Sequence, residues 1–456
     1  MAYATVNPYT GKTLKTFPTA TLEEVDAALE TAHAAFGVWK NEPIEERTFI
    51  LDKAASLLEA ERNEYAEMLT TEMGKIMSEA QAEVSVCVAI LRYYVEHTKD
   101  LLRPRMLLTQ GFGETDVHLV NDPTGIIFAV EPWNFPYYQV IRVAAPQLAA
   151  GNVVMLKHAS NVPQCAALME RLFLEAGAPK GVFTNLYLPH DLTEHVIASP
   201  YVRGVALTGS EKAGAIIASL AGKHLKKSTL ELGGMDAFIV LDDADIQLAA
   251  EWAVRGRNRN AGQVCVSSKR FIVVDAVYDE FVRRYRAEAA KLVPGDPADP
   301  KTTLAPLSSA TAKQQVERQV ADIVAQGAKI EYLVDVPKEG NFFPSALLTD
   351  IPEGSEATRT EIFGPVAQLY RAKDEADAIR IANDCPYGLG GSVFTSDIHH
   401  AQEIARQLDT GMVTINRASA SGPDIPFGGV KNSGYGHELI DLGLKEFLNQ
   451  KVVING

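Results

Sequence analysis

A single thiol closes the run Asn258-Arg259-Asn260-Ala261-Gly262-Gln263-Val264-Cys265, and a strand-like stretch at 270–274 follows it. A thiol works as a nucleophile only where the backbone leaves room for a substrate, and Gly262 with its small neighbours supplies that room. The octapeptide alone fits equally well a buried cysteine that serves as a small apolar side chain. Two other positions bear on the choice. Glu231 ends an apolar run in Leu230-Glu231-Leu232-Gly233-Gly234, and a carboxylate there is rarely buried without a partner or a task. Asn134 lies between Pro132 and Pro136, which fix the backbone on either side of an amide donor. A fourth feature is the βα turn Ala206-Leu207-Thr208-Gly209-Ser210-Glu211, where a helix start with free N–H groups suits a pyrophosphate. Together they fit thiolate attack on a carbonyl, hydride loss to a nicotinamide and hydrolysis of the acyl-enzyme.

These groups need a scaffold that brings distant segments together. Thr21-Leu22-Glu23-Glu24 reads as a capping box, and Val25, Leu29, Ala32, Phe36 and Trp39 recur at helical spacing behind it. Helical stretches at 44–72 and 78–102 complete a helical layer. From 125 onward, short apolar runs at 125–130, 153–157, 182–188, 204–207 and 229–232 alternate with helical segments, the pattern of a doubly wound parallel sheet. A second alternation has strands at 237–241, 270–274 and 366–370. The expected fold is therefore two doubly wound α/β domains, a Rossmann-like cofactor domain and a catalytic domain, with a small β arm. Residues 103–122 read as a hairpin around Gly111-Phe112-Gly113, either a sheet edge or a projecting arm. The tail at 446–454 alternates like a strand that adds to a neighbour's sheet. The glycine fingerprint of dinucleotide-binding folds is absent; Gly388-Leu389-Gly390-Gly391 is its nearest approach and lacks the last glycine.

The totals exclude several classes. A chain of 456 residues exceeds one ordinary core, and its composition, 46% hydrophobic and 22% charged, is that of a folded globular protein. With 43 basic against 58 acidic residues and no basic run, a nucleic-acid or anionic-membrane partner is not expected. Four cysteines without paired spacing point to reduced thiols and the cytoplasm, and the ten histidines give no metal signature. The first residues lack a signal-peptide pattern, and no apolar run is long enough for a membrane span.

Seven motifs in order now identify a resemblance: Pro132-Trp133-Asn134-Phe135-Pro136, Leu156-Lys157, Thr208-Gly209-Ser210, Glu231-Leu232-Gly233-Gly234, Gly262-Gln263-x-Cys265, Glu361-x-Phe363-Gly364-Pro365, and Pro426-Phe427-Gly428-Gly429-x-Lys431-x-Ser433-Gly434. Over essentially its whole length the chain resembles the aldehyde dehydrogenase superfamily. The resemblance implies that Cys265 is the nucleophile, that Asn134 and the Cys265 N–H hold the oxyanion, and that Glu231 activates water. It implies further that Trp133, Lys157, Gly209, Ser210, Leu232, Glu361 and Phe363 contact the cofactor, and that Glu438 is a possible proton relay behind Glu231. Departures are His158-Ala159-Ser160 where Lys-Pro is commoner, Met235 after the glycine pair, and His437 where Arg is usual. A non-catalytic protein of the same fold, the rival class, would be marked by loss of Cys265, Glu231 or Asn134; all are present.

Ser160 stands where NAD-preferring relatives commonly carry a carboxylate, so NADP is expected as the preferred cofactor, with NAD permitted. Arg142, Arg259 and Ser421 match the residues that hold the substrate carboxylate in the succinate-semialdehyde dehydrogenase branch, which implies a small anionic aldehyde; glutarate semialdehyde is the nearest rival. Ser267 stands where some of that branch place a second cysteine, so a local disulfide switch is not expected. The resemblance divides the chain into a cofactor-binding domain (1–102 and 123–231), a catalytic domain (232–425), a return to the cofactor side (426–445) and an oligomerisation arm (103–122 and 446–456), and implies a homodimer or homotetramer.

Overall fold

The computed structural model describes residues 3–111 and 116–455; the Phe112-Gly113 part of the expected hairpin turn lies outside them. The first parallel sheet runs, in spatial order, Lys227–Glu231, Val202–Thr208, Ile126–Glu131, Val153–His158, Phe183–Asn185. Strand order reverses between Ile126–Glu131 and Val202–Thr208, and the loops leaving that switch point open the crevice where ligands of such sheets bind. The short strand Gly434–Tyr435 joins its edge antiparallel, pairing Gly434 with Glu231. The burial explains the sequence: Ile126, Ile127, Phe128, Val153, Val154, Met155 and Leu156 are all fully buried, as strands covered on both faces must be.

The helices Leu22–Trp39, Ile44–Ala60, Arg62–Met73 and Met77–Leu101 pack on this sheet. The expected helix over 44–72 is two helices, broken at Glu61, because Glu61 leaves the α region with no side-chain cap to either helix. The capping box at Thr21 and Glu24 is formed reciprocally.

The second sheet has seven strands in the order Lys329–Tyr332, Ala346–Thr349, Val366–Ala372, Ser268–Val274, Asp236–Val240, Gly390–Phe394, Met412–Ile415, all parallel except the first. Both sheets are mainly parallel and helix-covered, so the fold is the doubly wound α/β pair. Four of its strands were not anticipated. The Gly390–Phe394 strand begins inside the glycine-rich run 388–391: a side chain at Gly390 would come within 2.3 Å of the Asp236 carboxylate, so glycine here marks a close approach.

Arg105–Met106, Val117–Pro123 and Leu448–Ile454 form a separate three-stranded antiparallel sheet. The tail pairs with Val117–Pro123 of its own chain and forms an edge of that sheet. No helix among the described residues is long and apolar enough to cross a membrane.

Candidate active site

Cys265 follows a strained approach. Asn260, Ala261 and Gly262 have φ of 52°, 51° and 74°, three left-handed residues in succession, a conformation that persists only where surrounding contacts over-determine it. The Asn260 side chain donates to the Asn134 carbonyl at 3.0 Å, its N–H donates to both oxygens of Glu79, and a Cβ on Gly262 would lie 2.4 Å from the Gly364 carbonyl. Asn134 is held in turn: its amide donates to the Gln263 carbonyl at 3.1 Å, and the Gln139 amide lies 3.0 Å from its oxygen. The loop that carries the thiol and the loop that carries the amide are thus tied directly together.

The thiol is a wall of two cavities. One lies at the crevice of the first sheet and is lined by Trp133, Asn134, Gly209, Ser210, Leu232, Cys265, Glu361 and Phe363. Ser210 caps the helix Glu211–Lys223 by accepting from the Ala213 N–H, which leaves the start of that helix facing the crevice. Beyond Trp133 a further cavity is lined by Lys157, Ser160 and His190. Lys157 is buried and makes no ion pair among the described residues; burial holds its ammonium below its usual range. A buried cation without a carboxylate suits an anionic or hydroxyl-bearing ligand.

The second cavity at the thiol is lined by Phe135, Tyr138, Arg142, Arg259, Ser421 and Phe427. Its two arginines differ. Arg142 is fully buried, ion-paired with Glu438, bonded to the Thr208 hydroxyl at 3.2 Å, and stacked 4.3 Å from the Phe427 ring centroid. Arg259 is exposed, makes no ion pair among the described residues, and lies over the Phe135 ring. The Ser421 hydroxyl meets the Tyr138 hydroxyl at 2.5 Å.

Glu231 and Glu438 line none of these cavities; both are buried, the Glu231 carboxylate finds no hydrogen-bond donor among the described residues, and the Glu438 carboxylate is engaged by its ion pair with Arg142. Burial pushes the Glu231 carboxyl up to about 8, with Arg142 acting in the opposite direction. Burial likewise pushes the Cys265 thiol up to about 11 against the pull of Arg142 and Lys269. Arg142 is therefore the cation shared by the thiol and the carboxylate. Ser267 accepts from Arg257 at 2.6 Å and donates to the Gly256 carbonyl at 2.8 Å, a packing role.

The aldehyde dehydrogenase family model matches residues 1–453. The chain belongs to the aldehyde dehydrogenase family. It is 48% identical to succinate-semialdehyde dehydrogenase [NADP(+)] of Deinococcus radiodurans, over 99% of this chain and 94% of that one, and 42% identical to succinate-semialdehyde dehydrogenase [NADP(+)] 1 of Mycobacterium tuberculosis, over 99% of each. Among solved structures, succinic semialdehyde dehydrogenase from Streptococcus pyogenes in complex with NADP+ superposes with a TM-score of 0.97 at 44% identity, covering 99% of both chains.

Several residues of this aldehyde dehydrogenase site escaped the sequence. Lys75 is fully buried, ion-paired with Glu83, and donates to the Asn134 carbonyl at 3.0 Å, while Glu83 accepts from the Tyr137 and Tyr138 N–H groups. Lys269 donates to the Val264 and Cys265 carbonyls. Glu131 is buried at the end of its strand. Only Glu131, at the end of the apolar run 126–130, carried a signal in the sequence; Lys269 follows two serines and precedes an arginine, and Glu83 lies in a mixed helical stretch.

Proposed function

We propose that this aldehyde dehydrogenase oxidises succinate semialdehyde to succinate, with NADP as the preferred hydride acceptor and NAD as the alternative. The observation that carries the reading is the position of Cys265 as the shared wall of two cavities, one opening on the crevice of the first sheet and the other ending in Arg259 and Ser421. The names of the most similar relatives point the same way.

The residues divide the work as follows. Arg259 binds the substrate carboxylate, with the Ser421 and Tyr138 hydroxyls beside it, and the aldehyde carbon reaches Cys265. Arg142, whose charge is already engaged by Glu438, orients that wall and favours the ionised forms of Glu231 and Cys265 rather than acting as an equal second clamp. The thiolate attacks the carbonyl, and the resulting oxyanion is held by the Asn134 amide and the Cys265 N–H. A bound nicotinamide cofactor would supply the hydride acceptor; Ser210 and Gly209 would hold its pyrophosphate, Glu361 its nicotinamide ribose, and Trp133, Leu232 and Phe363 its rings. Lys157 and Ser160 fit a ribose 2′-phosphate, since a buried ammonium with no carboxylate partner gains an anion there. Glu231, rotated toward the thioester, takes a proton from the attacking water, and Cys265 leaves as the thiolate. Glu438 is the candidate to pass that proton on.

The same reading keeps the domain limits 1–102 with 123–231, 232–425 and 426–445. The arm of 103–122 and 446–456, whose described strands form the three-stranded sheet, would carry assembly into a homodimer or homotetramer; Met106, Val452 and Ile454 expose apolar side chains on that sheet. We place the enzyme in the cytoplasm, since its four cysteines are all unpaired. Initial rates of NADP and NAD reduction with succinate semialdehyde, glutarate semialdehyde and butanal test the proposal. The highest kcat/KM is expected for succinate semialdehyde with NADP; butanal turning over equally well would dismiss the carboxylate pocket.

A further inference from the structure

Lys269 is a buried cation that none of the roles above uses. Its side chain is 3% exposed, and its ammonium donates to the Val264 carbonyl at 2.8 Å and the Cys265 carbonyl at 2.6 Å, with the Glu361 carboxylate 2.9 Å away. The Phe363 ring lies beside it. Burying an ammonium is costly unless it is bonded on several sides, so this placement holds the nucleophile loop in a defined orientation.

The Val264 carbonyl and the Cys265 N–H belong to one peptide unit. That unit is trans, so its C=O and N–H point in opposite directions. An ammonium fixed on the oxygen therefore aims the N–H away from itself. It also draws electron density toward the oxygen and leaves the N–H a stronger donor, because a charged hydrogen bond polarises the group it engages. The Cys265 N–H donates to no acceptor among the described residues, and on the Asn134 side the amide is already positioned against Gln263.

We propose that Lys269 is a positioning residue for the oxyanion hole: by holding the Val264 carbonyl it aims and polarises the Cys265 N–H that receives the negative oxygen after thiolate attack. The proposal rests on Cys265 being the nucleophile of the function proposed above. Through Glu361, which also lines the cofactor cavity and accepts from the Gly234 N–H, the same ammonium links the cofactor side of the crevice to the thiol loop.

The test separates steps that form an oxyanion from one that does not. Hydrolysis of p-nitrophenyl acetate acylates the thiol through a tetrahedral oxyanion and needs no cofactor; alkylation by iodoacetamide displaces iodide and forms none. Lys269→Met is expected to slow ester hydrolysis by about 10- to 100-fold, below the full loss of an oxyanion donor. Its alkylation rate on the high-pH plateau, where the thiolate is fully formed, should stay within about threefold of the parent. Lys269→Arg should recover most of the ester hydrolysis. Equal loss of both rates would reduce Lys269 to a packing residue and overturn the proposal, as would the retention of both. If Lys269→Met does not fold, Lys269→Gln against Lys269→Arg decides: ester hydrolysis at least about tenfold slower with Gln supports the role, and equal rates refute it. A parent enzyme that hydrolyses the ester but oxidises no aldehyde would sink the proposed function and leave Lys269 standing.

Discussion

Replacing Arg259 by Gln removes a charge from the substrate cavity while keeping a donor. The two arginines there are not equivalent: Arg142 is ion-paired with Glu438, hydrogen-bonded to Thr208 and stacked on Phe427, whereas Arg259 makes no ion pair among the described residues. A hydrogen bond to a charged group contributes about 1.5–3 kcal/mol. Arg259 is solvent-exposed, which favours the lower part of that range, so about 2 kcal/mol, or roughly 30-fold in kcat/KM, is expected for succinate semialdehyde. Butanal has the same carbon chain without the carboxylate, and its kcat/KM should change by less than about threefold, since it makes no ionic bond to lose. Arg142→Gln should slow both aldehydes, because it strips Glu438 of its counter-ion and removes the cation that favours ionised Glu231 and Cys265. The assay is the initial rate of cofactor reduction with each aldehyde at several concentrations. A loss of the same size for both substrates on Arg259→Gln, or no loss for either, would refute the assignment of the carboxylate to Arg259.

Because burial holds the Glu231 carboxyl up near 8, its base form grows as pH rises through that value, so the rate of thioester hydrolysis, followed as decay of the Cys265 acyl-enzyme, should climb from pH 6 to pH 9 with a midpoint within about one pH unit of 8; a profile already flat from pH 6 upward would contradict this. Ser160→Asp puts a carboxylate beside the cavity wall formed by Lys157, where charge repulsion of a few kcal/mol at close range should lower kcat/KM with NADP by about 100-fold and leave NAD far less affected. Saturation curves in each cofactor check it, and an unchanged NADP-to-NAD ratio would show that Ser160 does not read the phosphate.

The sequence was most informative where local and tertiary demands coincide. Strands such as Val153–His158 are buried on both faces, so their apolar runs stand out, and motif glycines such as Gly262 are forced by backbone contacts that no other residue allows. It was least informative where packing overrides local pattern. Gly390–Phe394 is a strand because Asp236–Val240 and Met412–Ile415 pair with it on either side, and the break at Glu61 has no capping signal. In the site, motif matching named residues but not their pairing. Nothing in the spacing of Arg142 and Glu438 shows that one neutralises the other, and Lys75, Glu83 and Lys269 act by holding backbone carbonyls and N–H groups, contacts that leave no periodic trace. His190 lines the Lys157 cavity from the 3-10 turn His190–Leu192, and Lys157 holds its imidazole below the usual range.

The central claim is that Cys265 carries the acyl group and Glu231 supplies the base that releases it. Single-turnover measurement on Glu231→Gln with succinate semialdehyde and NADP tests this directly, read by absorbance of the reduced cofactor and by mass spectrometry of the Cys265 peptide. The account predicts a burst of reduced cofactor of at most one per site, little further turnover, and a succinyl thioester on Cys265. Steady turnover at the parent rate, or a burst with no adduct on Cys265, would contradict it.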